Sequence, residues 1–262
     1  LSLGDSISIQ RAGDVIPKIT SVVKKSSNPK KILFPENCPS CKSKLIRYEN
    51  EAAVRCINHN GCEEQVINSL SHFVSRNAFD ISGLGERQLR IFWKKKIIRS
   101  FIDIFLLEEK TIAGEISLKE IDGLGEKSTS NLFKSIKLSR SISFDKLIFS
   151  LGIRHVGQGV ALIISRKFVV VDKFIDYFLN HDYSDSFEGI GEVIFNSIKS
   201  YLNDDNNLFQ INSLLKYISL KYENYENNKF ANKVIVITGA FEGYSRKVIT
   251  QKLNSMGATV SS

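Results

Sequence analysis

No apolar run in this chain reaches membrane-spanning length. The longest candidates, around Ile97–Leu107, are interrupted by Arg99, Ser100 and Asp103. No signal peptide is visible at the start. Acidic residues are scattered along the sequence, which argues against a nuclease built on carboxylate-held metal ions. Cysteine is missing everywhere except between residues 38 and 62, and a chain of 262 residues does not need disulfide staples to hold a core. Negative charge is in deficit: 36 Lys and Arg face 28 Asp and Glu, leaving +8 and a pI near 9.2. Such a surface favours a polyanion, and nucleic acid is the first candidate, although a charge run is more often a solvated face. The length suggests two or more domains.

What is present begins with the cysteines. Cys38, Cys41, Cys56 and Cys62 follow the pattern C-P-S-C, fourteen residues, C, five residues, C. A pair two apart on a tight turn and a second pair a loop away can set four thiolates at the corners of a tetrahedron around one Zn²⁺. Pro39-Ser40 suits the first turn. Two disulfides are the competing reading, and they would require an oxidising compartment. His59, between the third and fourth cysteines, is read as a solvated loop residue because four thiolates already close the site.

Along the chain the pattern changes several times. Residues 1–20 read as β: Ile7 and Ile9 alternate with polar residues, and Ala12-Gly13-Asp14 turns into Val15-Ile16-Pro17. Residues 21–37 form a basic connector with Lys24, Lys25, Lys30 and Lys31, and the cysteine module occupies 38–66. From 67 to 220 apolar residues recur at helical spacing, as in Leu208, Ile211, Leu214, Leu215 and Ile218. Residues 221–232 are polar, asparagine-rich and read as a linker. In 233–262 a short buried strand, Val234–Ile237, leads to Thr238-Gly239, a helix over about 245–256 and a second strand from Gly257. Phe92 and Trp93 are read as packing residues.

Within the helical stretch one phrase recurs four times: Ile81-Ser-Gly83-Leu-Gly85, Ile121-Asp-Gly123-Leu-Gly125, Ile153-Arg-His155-Val-Gly157 and Phe187-Glu-Gly189-Ile-Gly191. The spacing fits a unit of two helices and a turn. The first glycine can take φ > 0 where one helix ends. The second opens the next helix without a Cβ, so amide hydrogens and the positive helix end face any approaching phosphate. Such a site reads no base. Arg87 and Lys127, two residues past the second glycine, add charge there, and Arg154 does so at the third turn. The third copy is the doubtful one, because a histidine at position 155 takes φ > 0 less cheaply than glycine. Ordinary helix-turn-helix packing is the competing reading for any single copy.

These phrases are helix-hairpin-helix motifs, and with their surroundings the chain resembles bacterial NAD⁺-dependent DNA ligase. Arg11-Ala-Gly-Asp-Val-Ile-Pro17 resembles the signature closing that family's oligonucleotide-binding (OB) barrel, Leu151–Gly157 resembles its third hairpin, histidine included, and Val234–Gly239 with Met256–Val260 resembles the first strands of a BRCT domain. The resemblance implies a multidomain, mainly α protein. Its parts are an OB-fold end (1–20), a four-cysteine zinc finger (38–66), a helical domain of four helix-hairpin-helix motifs (67–220) and a truncated α/β BRCT domain (233–262). It implies a monomeric, cytoplasmic, nucleoid-associated enzyme of DNA replication and repair that uses NAD⁺ and Mg²⁺ to seal nicks in duplex DNA. AMP would pass from NAD⁺ to a lysine, then to the 5′-phosphate, and leave when the 3′-hydroxyl attacks. No Lys-x-Asp-Gly phrase, the family's nucleophile motif, occurs here, so no catalytic or NAD⁺-binding residue is assigned and this stretch alone is expected to be inactive. Its expected role is to grip the DNA backbone through Gly83, Gly85, Gly123, Gly125, Gly157, Gly189 and Gly191, with Arg87, Lys127, Arg154, Arg11 and Lys18 contributing charge. The zinc finger would set the angle between barrel and hairpins. A non-catalytic repair scaffold that recruits partners through BRCT is the alternative, though it has no need of the barrel signature.

Overall fold

The computed structural model describes residues 1–12, 16–47, 52–168, 170–222, 230, 233–239, 241 and 243–261. By contacts the chain divides into Leu1–Cys62 and Glu63–Ser262.

The first unit is β-structure with little core. Strand β1 (Ser2–Leu3), β2 (Ser6–Ala12), β3 (Ile16–Lys24) and β4 (Lys30–Lys31) form two antiparallel pairs, β1 with β4 and β2 with β3. The turn expected at residues 13–15 lies outside the described residues, while β3 continues to Lys24 and β4 follows, so the basic stretch after residue 20 is sheet in part. Register places Ile7 opposite Val22, Ile9 opposite Ile19 and Arg11 opposite Pro17, with Gln10 opposite Lys18. Because side chains alternate between faces along a strand, the apolar pairs share a face with Arg11, and Lys18 projects from the other. Strands β5 (Leu45–Arg47) and β6 (Val54–Cys56) make a short antiparallel pair that carries Cys56.

The second unit is helical. It contains α1 (Glu63–Phe73), α2 (Glu86–Lys94), α3 (Phe101–Ile112), α4 (Glu126–Ser139), strand β7 (Ser141–Ser143), α5 (Phe144–Ser150), α6 (Gln158–Lys167), α7 (Val171–Asn180), α8 (Glu192–Leu202) and α9 (Asp205–Leu214). Strand β8 (Ser219–Lys221) pairs in parallel with β7 and ties the end of the helical stretch to its middle. Helical periodicity does not reveal these two three-residue strands, since runs so short carry no period of their own. The first helix starts at Glu63, directly after the last cysteine.

Caps set several boundaries. Asp103 in the first turn of α3 accepts hydrogen bonds from the amides of Arg99 and Ser100, both at 2.9 Å, and Asp204 before α9 accepts from the amide of Asn207 at 3.0 Å. The apolar stripes of α1–α9 meet in one continuous core. Near its start Phe73 lies against Phe79 and Phe101, with centroids 4.2 and 4.3 Å apart. Phe92 is fully buried and Trp93 packs beside it beneath the Arg99 guanidinium, 3.8 Å from the ring centre. At the far end β9 (Val234–Val236), α10 (Arg246–Ser255) and β10 (Thr259–Ser261) form a parallel strand–helix–strand unit. The sequence reads β9 as buried, yet Val234 is 69% and Val236 57% exposed. Two paired strands cover each other's edges, not their faces. Most of the expected linker at 221–232 lies outside the described residues.

Candidate metal centre and nucleic-acid interface

The cysteine module converges on four sulfurs. Cys38 and Cys41 sit on a tight turn in which the Lys42 amide donates to the Cys38 carbonyl at 2.9 Å and Lys42 takes φ 63°. The Cys38 amide donates to the Ser43 carbonyl at 2.7 Å. Cys56 ends β6, and Cys62 closes a second turn by donating its amide to the Asn58 carbonyl at 3.1 Å. The Asn58 side-chain amide reaches the Ser43 hydroxyl at 3.4 Å and bridges the two turns.

Cys38 and Cys62 stand 3.9 Å apart, Cys41 and Cys56 3.5 Å, and all four sulfurs lie within 4.8 Å of one another. A disulfide requires about 2.05 Å, so these are thiols. Four sulfurs each about 2.3 Å from a central Zn²⁺ are about 3.8 Å apart along the tetrahedron edges. The donor set and spacing therefore fit zinc, held by Cys38, Cys41, Cys56 and Cys62. His59 is exposed and outside the cluster.

The protons of the cluster are unequal. Hydrogen bonds from the Ser43 hydroxyl and amide pull the Cys41 thiol down to about 6. At Cys56 a hydrogen bond from Asn58 is outweighed by burial and the neighbouring thiols, which push it up to about 12. Without a cation, one negative sulfur makes the next harder to form, and a divalent ion at the centre reverses that order.

The second constellation is the set of four turns, and they are near copies. The first turn position is left-handed in each: Gly83 φ 88°, Gly123 φ 84°, His155 φ 64° and Gly189 φ 88°. His155 thus takes the conformation that sequence reasoning held against it. Its turn is closed by the Val156 amide donating to the Ile153 carbonyl at 3.0 Å, matching 2.9 Å at the second turn and 3.1 Å at the fourth. The second position is extended in all four, with φ between −77° and −86°. Its carbonyl accepts the first helical hydrogen bond, at 2.9–3.0 Å.

The two positions face different surroundings. A Cβ on Gly83 would meet Leu132 at 3.8 Å, one on Gly123 the Gln88 side chain at 3.0 Å, and one on Gly189 the Ile163 side chain at 2.9 Å. Around Gly85, Gly125, Gly157 and Gly191 no heavy atom lies within 4 Å of such a Cβ, and no side chain caps the following helix. The first position packs against a neighbouring helix and the second leaves amide donors open to solvent.

The charges flanking the turns differ. Arg87 does not stand apart as extra charge: it pairs with Asp122 of the second turn at 2.5 Å. Glu86, at the start of α2, is held by Arg90, which also grips Glu64. Glu126, at the start of α4, is held by Lys119, whose hydrogen bond keeps that carboxyl below its usual range. Lys127 and Arg154 are exposed. α6 has no carboxylate in its first turn. The fourth turn carries Glu188 and Glu192 with exposed Val193 two residues past Gly191, and no basic residue. Arg11 and Lys18 emerge from opposite faces of the β2–β3 pair.

These two sites define a zinc-finger protein with repeated helix-hairpin-helix turns. Residues 37–63 match the family described as the NAD-dependent DNA ligase C4 zinc finger domain, and residues 146–211, spanning the third and fourth turns, match the helix-hairpin-helix motif. Three bacterial proteins named DNA ligase align with nearly the whole chain. The one from Wolbachia pipientis subsp. Culex pipiens is 40% identical over 264 residues, covering 99% of this chain and 40% of the relative. That of Ehrlichia chaffeensis is 36% identical over 267 residues, covering 99% and 40%. That of Nitrobacter winogradskyi is 35% identical over 280 residues, covering 100% and 39%. Nearly the whole chain therefore aligns with part of bacterial proteins named DNA ligase, and it spans about two fifths of the length of the curated relatives it matches.

Proposed function

We propose that this region holds duplex DNA by its phosphate backbone while the rest of an NAD⁺-dependent ligase seals a nick. The observation that supports it is the set of four near-identical turns whose second glycines are open and whose following helices lack side-chain caps. Donors of this kind at a positive helix end suit phosphate oxygens and carry no base preference. NAD⁺ and Mg²⁺ belong to the whole enzyme in this reading, and Zn²⁺ belongs to the cysteine module.

The turns are not equal partners in the grip. The third has Arg154 beside its turn and no acid at the start of its helix, whereas the fourth sets Glu188 and Glu192 where a phosphate would approach. We rank the third turn first and the fourth last, with Lys127 assisting the second. The apolar pairs of β2 and β3, half-buried Ile7 with exposed Val22 and exposed Ile9 with exposed Ile19, suit the inner face of an OB barrel completed by other strands. The β9–α10–β10 unit suits the opening of a BRCT domain.

Titration of the chain with a labelled nicked duplex tests this. Gly157 has backbone angles open to any residue and empty space at its Cβ, so Gly157→Val obstructs a phosphate without straining the fold. It should weaken binding about tenfold, roughly 1.4 kcal/mol, alike for all sequences. Gly191→Val, at matching angles, should change it by less than about twofold. Affinity should fall with salt at a log–log slope of about −0.9 per phosphate contacted. A flat salt response, or a Gly157→Val effect that depends on base sequence, would overturn the backbone grip.

A further inference from the structure

Outside these sites, the far end of α6 meets the last strand–helix–strand unit. Helix α10 ends at Ser255, and Gly257 at φ 92° turns the chain into β10. The amides of Met256 and Ala258 return to the carbonyls of Lys252 and Leu253 at 3.2 and 3.1 Å, closing the helix C-terminus. The carbonyls of Gly257 and Ala258 point outward from that closure. Both accept hydrogen bonds from Arg166, Gly257 from Nη1 at 3.3 Å and Ala258 from Nη2 at 2.9 Å. Gly257 and Ala258 are buried and Arg166 is half-buried, so this is not a surface contact between mobile side chains.

We infer that Arg166 is an intramolecular latch that docks the β9–α10–β10 unit onto the last turn of α6. The contact joins segments about ninety residues apart in sequence. Two physical features favour it. The planar guanidinium presents paired donors that match two successive carbonyls, which a lysine cannot do with one ammonium. The C-terminal end of α10 carries partial negative charge, which a cation at that place stabilises. Helix α6 starts at the third turn and is ten residues long, about 15 Å at 1.5 Å per residue. The docked unit is therefore carried at one end of α6 and the open third turn lies at the other.

Hydrogen exchange on the 262-residue chain tests the latch without DNA, so its failure is separable from failure of the backbone grip. Arg166→Ala should speed exchange of the α10 and β10 amides about tenfold while amides of α1 and α6 keep the parent rate. Arg166→Lys keeps the charge and loses the fork, and should fall between the two. If Arg166→Ala loosens α6 itself, Arg166→Lys decides: an intact α6 with faster α10 and β10 supports the latch. Parent-like exchange of α10 and β10 in a variant whose α6 remains protected would overturn it.

Discussion

The cysteine module and the helical unit solve the same problem with different materials. In Leu1–Cys62 the buried cluster among the described residues is Cys38, Cys56 and Cys62, with only Cys41 and Leu45 packed against it. Ile9, Ile16, Ile19, Val22 and Val23 remain exposed. The helical unit buries a continuous body of Leu, Ile, Val and Phe running from Val66 to Leu214. A hydrocarbon core is a sum of many small contacts and loses stability in portions. A four-thiol core depends on one ion, so its loss is all or none.

Metal removal should separate the two most sharply. The purified chain should hold about one zinc per molecule. A chelator should unfold residues 37–62 and expose four reactive thiols, since zinc contributes roughly 10–16 kcal/mol to modules of this kind. The thermal transition of the helical unit, followed by circular dichroism, should not move. A metal-free protein with two disulfides would sink the zinc assignment. Next in size, Phe105→Ala should cost about 3–5 kcal/mol in urea unfolding, because Phe105 is fully buried with its ring against Phe73 and Phe79. The cysteine module should keep its metal in that variant.

A smaller effect should come from Asp103→Asn, about 1 kcal/mol. Burial raises the pKa of this half-buried carboxyl. Hydrogen bonds from the Arg99 amide and Ser100 hydroxyl, together with Lys110, outweigh burial and hold it below its ordinary 3.8. A depressed folded pKa means the stabilisation is complete above the unfolded value near 3.8 and drains away as pH falls through the folded one. Unfolding measured from about pH 6 down to about pH 2 should therefore show the parent converging on Asp103→Asn below about pH 4. A constant gap at all pH values would remove Asp103 from the acid response.

Much of this was readable in the sequence wherever the cause is local. The cysteine spacing set the ligand group because Cys38 and Cys41 share one tight turn and only five residues separate Cys56, at the end of β6, from Cys62. The glycine phrase marked all four turns because a left-handed residue followed by an extended one is a demand on two adjacent dihedral pairs. Even so, glycine is a preference and not a requirement. At position 155 a histidine adopts φ 64°, held by the same turn hydrogen bond and by the buried Ile153 and Val156 on either side. The pairing of β7 with β8, the Asn58–Ser43 bridge, the capture of Arg87 by Asp122 and the grip of Arg166 on Gly257 and Ala258 left no comparable signal. Each joins residues far apart in sequence with no periodicity to announce them.

The order of amino acids was enough to say which residues could bind a metal and where the chain must turn, because both depend on neighbours a few bonds away. Which glycine of the first, second and fourth turns faces a neighbouring helix, and which stays open, emerged only from the packed fold. So did the capture of particular cations by carboxylates, and the departure of Arg11 and Lys18 from opposite sides of a strand pair. Those outcomes depend on which helices and strands meet across the fold, and that is settled only when distant apolar faces and polar groups are matched together.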